Sequence, residues 1–272
     1  MTALTGLVAW YKPETLAASY ANGDPIDTWA DSSGNSRDLT GTTTARPLAA
    51  ASAINGYMAA DFDGTDDILS SASYTHSGDL IASVVFSFDI EKNYNVLAVV
   101  DGNSSPAYAC DFLNQSSYSS STSRFLAGLD DGTHRYCYRN YDVQPLTNYV
   151  VTYGCNKAVG GLISLNGQQS VDLIGSDVSA ISTPSGTAYI HVGQNGIANG
   201  YLDGKICEII LYTVTDRTEV PWVEGYLADK YAITLADGHL FKNEPPQSAP
   251  TTYNTGGTGA TNVAAAKFTR LE

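Results

Sequence analysis

The stretch Gly204-Lys-Ile-Cys-Glu-Ile-Ile-Leu-Tyr212, followed after a short connection by Thr218-Glu-Val-Pro-Trp-Val-Glu-Gly-Tyr-Leu-Ala-Asp-Lys-Tyr-Ala-Ile233, decides the fold. Its first half reads as a strand apolar on both parities, with Ile206, Ile210 and Tyr212 on one face and Cys207, Ile209 and Leu211 on the other. Glu208 alone breaks the run. A lone acid between apolar neighbours is expected to be paired, because an unpaired buried charge is costly, and a tyrosine or lysine of the following segment can supply the partner. In that segment Val220, Val223, Leu227 and Tyr231 recur at helical spacing, Thr218 can cap, and Pro221 fits the first turn. The pattern predicts a short amphipathic helix lying as a lid over the strand.

Working outward, three stretches nearer the N-terminus agree with this end. They are Gly6-Leu-Val-Ala-Trp-Tyr11, then Trp29-Ala-Asp-Ser-Ser-Gly-Asn35, then Phe62-Asp-Gly-Thr-Asp-Asp67. With the strand and helix above, they resemble the opening strand, the W-x-D-x-S-G-N turn, the F-D-G-x-x-D turn and the closing strand of laminin-G-like, concanavalin-A-like domains. Such domains are common in bacterial surface proteins and in bacteriophage virion proteins. The matches bracket roughly residues 4 to 233 in the usual order. The resemblance implies an all-β, two-sheet antiparallel jelly-roll sandwich whose first and last strands lie close together. Tyr149-Val-Val-Thr-Tyr153, followed by Ile163-Ser-Leu-Asn-Gly167, resembles that family's central hairpin.

The remaining residues suit this reading. Short apolar runs alternate with turns rich in Gly, Asn, Asp and Ser, and strands are predicted over 80–90, 96–101, 149–154, 161–165, 188–193 and 206–212, with Asn166-Gly167 as a hairpin turn. With 14 Lys and Arg against 28 Asp and Glu, the formal charge of −14 argues against nucleic-acid or anionic-membrane partners. No apolar run reaches the roughly 20 residues that cross a bilayer, and Met1-Thr2-Ala3-Leu4 leads into the first strand without a basic and then apolar segment, so membrane insertion and a secretion route are not expected. Cys110, Cys137, Cys155 and Cys207 sit in strand-like contexts without the close pairs of a zinc site, and read as buried free thiols, although two disulfides would allow three connectivities.

Catalysis finds little support. Glycoside hydrolases of the concanavalin-A-like fold place paired carboxylates on one strand face. Here Asp89 and Glu91 share a parity, but Glu91-Lys92-Asn93 reads as a turn; the four histidines His76, His134, His191 and His239 stand beside no nucleophile signature. No catalytic residue and no cofactor are expected. Binding is better supported, since 18 tyrosines join flat apolar faces to polar tips. The densest cluster is His134-Arg-Tyr-Cys-Tyr-Arg-Asn-Tyr141, in which Tyr136 and Tyr138 share one face and Arg135 and Arg139 the other. The loop Gln194-Asn-Gly-Ile-Ala-Asn-Gly200 offers the amides of Asn195 and Asn199 to sugar hydroxyls. These six residues are the candidate contacts for a carbohydrate or partner. Asp63, Asp66 and Asp67, and separately Asp130-Asp131-Gly132, are the carboxylates a calcium ion would use, yet Asp side chains in such turns more often bond to nearby backbone amides.

Past residue 236 the composition turns to Pro, Gly, Thr and Ser, which build no core. The expected organisation is a sandwich over 1–236 and an extended C-terminal arm over 237–272. Together these readings describe a non-enzymatic structural or adhesion protein of a bacteriophage virion, a capsid decoration or tail component assembled in the host cytoplasm. Its partners would be other virion proteins held through the arm, with a host-surface glycan a further one, and the protein would be oligomeric or particle-bound. The alternative is a free carbohydrate-binding module of a bacterial surface protein, extracellular or at the cell surface.

Overall fold

The computed structural model describes residues 4, 6–78, 80–89, 94–101, 110–116, 123–130, 134–141, 143–156, 160–169, 174–175, 185–194, 200–213 and 218–246. In chain order the strands begin with β1 (Leu7–Tyr11), β2 (Thr28–Trp29), β3 (Leu39–Thr40), β4 (Leu48–Ser52), β5 (Gly56–Asp63), β6 (Leu69–Ser71) and β7 (Tyr74–Ser77). They continue with β8 (Leu80–Phe88), β9 (Tyr94–Asp101), β10 (Cys110–Ser116), β11 (Ser123–Asp130), β12 (His134–Tyr141), β13 (Tyr149–Asn156) and β14 (Gly160–Leu165). The last are β15 (Gln168–Gln169), β16 (Ile174–Gly175), β17 (Ser185–Val192) and β18 (Asp203–Thr213), and two helices, α1 (Pro13–Ala17) and α2 (Val220–Tyr231), complete the set.

All pairings are antiparallel, in two sheets. One runs β15-β14-β13-β8-β18-β5-β4, with β1 also on β18; the other runs β16-β12-β11-β10-β9-β17-β6-β3-β2, with β7 also on β17. The pairing of β1 with β18 brings first and last strands together, as the resemblance implied. Between the sheets lies a core that includes Tyr11, Trp29, Phe62, Phe86, Phe88 and Tyr153, all essentially buried. A second apolar layer, with Ile81, Val85, Val150, Ile210 and Tyr212 beneath Val220, Val223, Leu227 and Tyr231, seats α2 on the outer face of the first sheet. That sheet is covered on both faces, which is why its strands read as continuous apolar runs. None of the described helices is long and apolar enough to cross a membrane.

Strict alternation along β18 fails at one point. Ile206, Ile209 and Leu211 belong to the core between the sheets, whereas Cys207, Ile210 and Tyr212 lie under the helix. The ladder to β8 slips between Ile206, opposite Phe86, and Glu208, opposite Val85. This bulge places one extra residue in β18 and reverses the parity of everything after it, so Cys207 and Glu208 both serve the helix side. The grouping of Ile206 with Ile210 and Tyr212 expected from alternation is thereby corrected. The N-cap position of α2 is Glu219 rather than Thr218, it makes no side-chain capping bond, and proline occupies the first turn as its missing N–H allows. Asn166 and Gly167 take φ of 47° and 77°, the left-handed pair that a tight hairpin turn demands, and join Leu165 to Gln168.

Candidate functional site

The densest buried polar group lies between β1, β18 and α2. Glu208 is wholly buried; its Oε1 accepts from Trp10 Nε1 at 2.6 Å and Tyr226 Oη at 3.0 Å, and its Oε2 accepts from Lys230 Nζ at 2.7 Å and Tyr231 Oη at 2.6 Å. Four donors satisfy one carboxylate, so the acid expected to be paired is paired with both residue types foreseen and with a tryptophan at the other end of the chain. Burial pulls the Lys230 ammonium down, but the charge of Glu208 and hydrogen bonds to Glu14 and Glu208 outweigh it and leave the pKa raised. Burial and then the Glu208 charge raise the Tyr231 and Tyr226 phenols, keeping them protonated donors. Cys207 beside them is a free thiol pushed up to about 12 by burial. Nothing in this group is left over for a substrate: it is a clasp for the helix. The side chains of Cys110, Cys137 and Cys155 lie outside the described ones.

The turn motifs are also accounted for locally. Asp31 accepts from the backbone N–H groups of Trp10, Ser33 and Arg37 at 2.9, 2.8 and 3.1 Å, tying the W-x-D-x-S-G-N turn to β1. Asp63 Oδ1 accepts from the Thr65 N–H and Asp67 Oδ2 from the Asp63 N–H. The ligand atoms of Asp63, Asp66 and Asp67 lie within 4.8 Å of one another, a spacing a hard cation would accept. Two of the three carboxylates already serve the turn, and burial raises Asp67 to about 6, so it is partly protonated near neutrality. Asp89, one half of the carboxylate pair of shared parity with Glu91, is ion-paired with Lys205 at 3.0 Å, as is Asp61 at 3.2 Å; Glu91 lies outside the described residues.

The outer face of the second sheet differs from that of the first. Trp29, Leu39, Leu69, Ile190 and Val192 point into the core. Their neighbours in the same strands point away: Thr28, Thr40 and Thr187 are exposed, and Ser70, Tyr189 and His191 are half-buried. Pairing orders these positions into a row. His191 stands opposite Ser70, Ser70 opposite Thr40, and Thr40 opposite Thr28. In the other direction His191 stands opposite Ala98, Ala98 opposite Asp111, Asp111 opposite Gly128, and Gly128 opposite Tyr136. Directly paired residues of an antiparallel ladder lie side by side, so the backbone register carries the row from His191 to Tyr136; the side chains of Arg135, Tyr136, Tyr138 and Arg139 lie outside the described ones. Pairing thus defines a row of backbone positions, ending at Tyr136, that sequence reading did not reveal. Asn195 and Asn199 lie outside the described residues.

At the junction of β6 and β17, Ser70 Oγ and His191 Nδ1 share a hydrogen bond of 2.7 Å. The Tyr189 and His191 rings lie parallel, 16° apart in plane with centroids separated by 6.2 Å. Thr40 Oγ1 donates to the Ser70 carbonyl at 3.1 Å. Burial lowers the His191 pKa, so the ring is neutral at neutral pH. Among the described residues no carboxylate bonds to His191, and a serine and histidine without an acid to orient the ring lack the third member of a hydrolytic triad. The signal was present in sequence only as alternation, with Ser70 and His191 separated by 121 positions.

No protein-family model matches the chain, and no curated protein does. Solved structures are similar in fold. The binding domain of botulinum neurotoxin serotype D has a TM-score of 0.55 at 8% identity, covering 82% of this chain and 52% of that one. The ligand-binding domain of the same serotype in complex with N-acetylneuraminic acid has a TM-score of 0.52 at 10% identity, covering 80% and 50%. The binding domain of Paraclostridial Mosquitocidal Protein 1 has a TM-score of 0.53 at 10% identity, covering 81% and 52%. The chain therefore spans about half the length of the structures it matches. Identity this low is a statement about architecture alone, and that architecture is the two-sheet, concanavalin-A-like jelly-roll sandwich.

Proposed function

We propose that this chain is a non-enzymatic, lectin-like recognition module that reads a carbohydrate or receptor surface with the open face of its second sheet. The observation that carries this reading is the asymmetry of the sandwich: α2 seals the outer face of one sheet, while the described outward positions of the other present hydroxyls, Tyr189 and His191. The similarity in fold to binding domains of toxins supports it. So does the engagement of Glu208, Asp61 and Asp89 by cations, which leaves those carboxylates unsuited to act as a catalytic pair. Tyr136 and Tyr138 are the contacts proposed at the far end of the face. Binding of the intact chain to a glycan array, lost in a Tyr136→Ala/Tyr138→Ala variant of unchanged stability, is the expected result; an array with no bound spot counts against the reading.

The finer setting we propose is a bacteriophage virion, where the module serves as capsid decoration or tail component and the C-terminal arm attaches it to other virion proteins. Its support is the resemblance of the motifs at residues 6–11, 29–35, 62–67 and 204–233 to domains common in such proteins. Peptide mass fingerprinting of purified particles tests it: the chain is expected among the particle proteins, and its absence from particles leaves the free module of a bacterial surface protein. That second reading is favoured by one observation, the fold similarity to binding domains of a neurotoxin and of a mosquitocidal protein.

A further inference from the structure

Resting on the assignment of the open sheet face to recognition, the geometry points to a defined subsite at the β6–β17 junction, built by Thr40, Ser70, Tyr189 and His191, that holds one unit of an extended, uncharged oligosaccharide lying across the strands. Three observations converge on it. The first is the row of paired backbone positions from Thr28 to Tyr136, which crosses eight strands and whose side chains are described from Thr28 to His191; at about 4.8 Å per strand the backbone row extends roughly 34 Å. A platform of that length suits a chain of several sugar units better than a single sugar.

The second is the pairing of flat rings with fixed hydroxyls. Tyr189 and His191 stand parallel and half-buried on one strand, and the hydrogen bond to Ser70 holds the imidazole in place. Preorganised aromatic rings flanked by hydroxyls match a pyranose, which has an apolar face of C–H groups and a polar rim. The Ser70 and Thr40 hydroxyls lie on adjacent strands at paired positions, so they flank the rings on one side. The third observation selects the charge of the ligand. Among the described residues of this row and of β17 there is no lysine or arginine, and the chain carries a formal charge of −14. A sialylated or sulfated glycan would find no ion-pair partner there and would meet an unfavourable field.

Isothermal titration of the full chain with neutral linear oligosaccharides, from disaccharide to hexasaccharide, and with sialylated counterparts tests this. Affinity is expected to rise with length and to favour the neutral series. Tyr189→Ala and His191→Ala are each expected to weaken hexasaccharide binding by about tenfold, as loss of an aromatic contact implies. The milder Ser70→Ala and His191→Gln keep the fold intact if the alanine variants melt early, and each is expected to weaken binding several-fold. Binding that is lost in Tyr136→Ala/Tyr138→Ala yet unmoved in all four subsite variants overturns the subsite and leaves the recognition role standing. A preference for the sialylated series overturns the assignment of an uncharged ligand. Absence of binding to both series, with a blank glycan array, overturns the recognition role as well.

Discussion

At the scale of single residues, Glu208 is where one substitution should matter most. Truncating it to alanine leaves the buried Trp10 and Tyr231 donors without this acceptor and the Lys230 ammonium with the half-exposed Glu14 as its remaining carboxylate. Removing one member of a buried, hydrogen-bonded charge pair costs about 3–5 kcal/mol, whereas Tyr226→Phe gives up the bond donated to Glu208 and a longer one accepted from Lys230, about 1–2 kcal/mol in all. Denaturant titrations of the two variants are expected to show that order, and a Glu208→Ala protein as stable as Tyr226→Phe would refute the clasp. Asp67 should behave in the opposite sense. Burial raises its carboxyl from 3.8 to about 6, so the folded state holds a proton that the unfolded chain releases. Stability from this group is present at acid pH and is lost as pH rises from about 4 to 6. Asp67→Asn can still accept the Asp63 N–H and should stabilise the protein by about 2 kcal/mol at pH 7, with the gain vanishing near pH 4. Melting curves across that range check it; a gain that does not change with pH would show that ionisation is not the cause. The pairing of Glu208 with a helix lysine and tyrosine was readable in sequence, because spacing put those residues over the strand. Trp10 was not, since its contact spans 198 positions, and the bulge at Cys207 leaves no mark in a run that is apolar on both parities.

Among elements, α2 and the chain after it form one unit. Phe241 packs on Trp222, with ring centroids 4.5 Å apart, and fills the notch over Gly225, where a Cβ would lie 2.8 Å from Phe241 Cβ. Helix propensity alone favours Gly225→Ala by up to about 1 kcal/mol. The notch reverses that preference, because the methyl would force Phe241 and the segment carrying it off the helix. The variant is expected to melt below the parent, and adding Phe241→Ala should make the same methyl neutral or favourable in a double-mutant cycle. A Gly225→Ala protein that melts above the parent would mean the notch is not filled in solution. The helix itself was legible from Val220, Val223, Leu227 and Tyr231, all of which are buried. The segment after α2 that carries Phe241 was not, because an irregular segment has no period; its only sequence trace is Gly225 within the helix.

Across the whole molecule, four short motifs disclosed the sandwich because each is tied to a backbone requirement: two turns stabilised by aspartates, a first strand, and a last strand that pairs with it. The open face was not disclosed, since a row across eight strands joins residues far apart in the chain, and only pairing brings Ser70 beside His191 and both into line with Tyr136. Composition placed the start of the arm at residue 237, and residues 247–272 lie outside the described ones. Within 237–246, however, the His239 side chain is buried with its Nε2 3.1 Å from the Glu224 carboxylate, and Phe241 covers Gly225. A chain ending at Ala236 would therefore lose part of the fold, leaving Glu224 buried without its imidazole and the Trp222–Gly225 surface of α2 uncovered, at a cost of about 2 kcal/mol or more. A chain ending at Pro246 keeps both contacts and should melt with the intact protein. Comparing the two separates stability from attachment: if residues 247–272 bind the particle, the chain ending at Pro246 is as stable as the intact one and no longer co-sediments with particles. Co-sedimentation of that shorter chain at the level of the intact one would locate attachment on the sandwich instead.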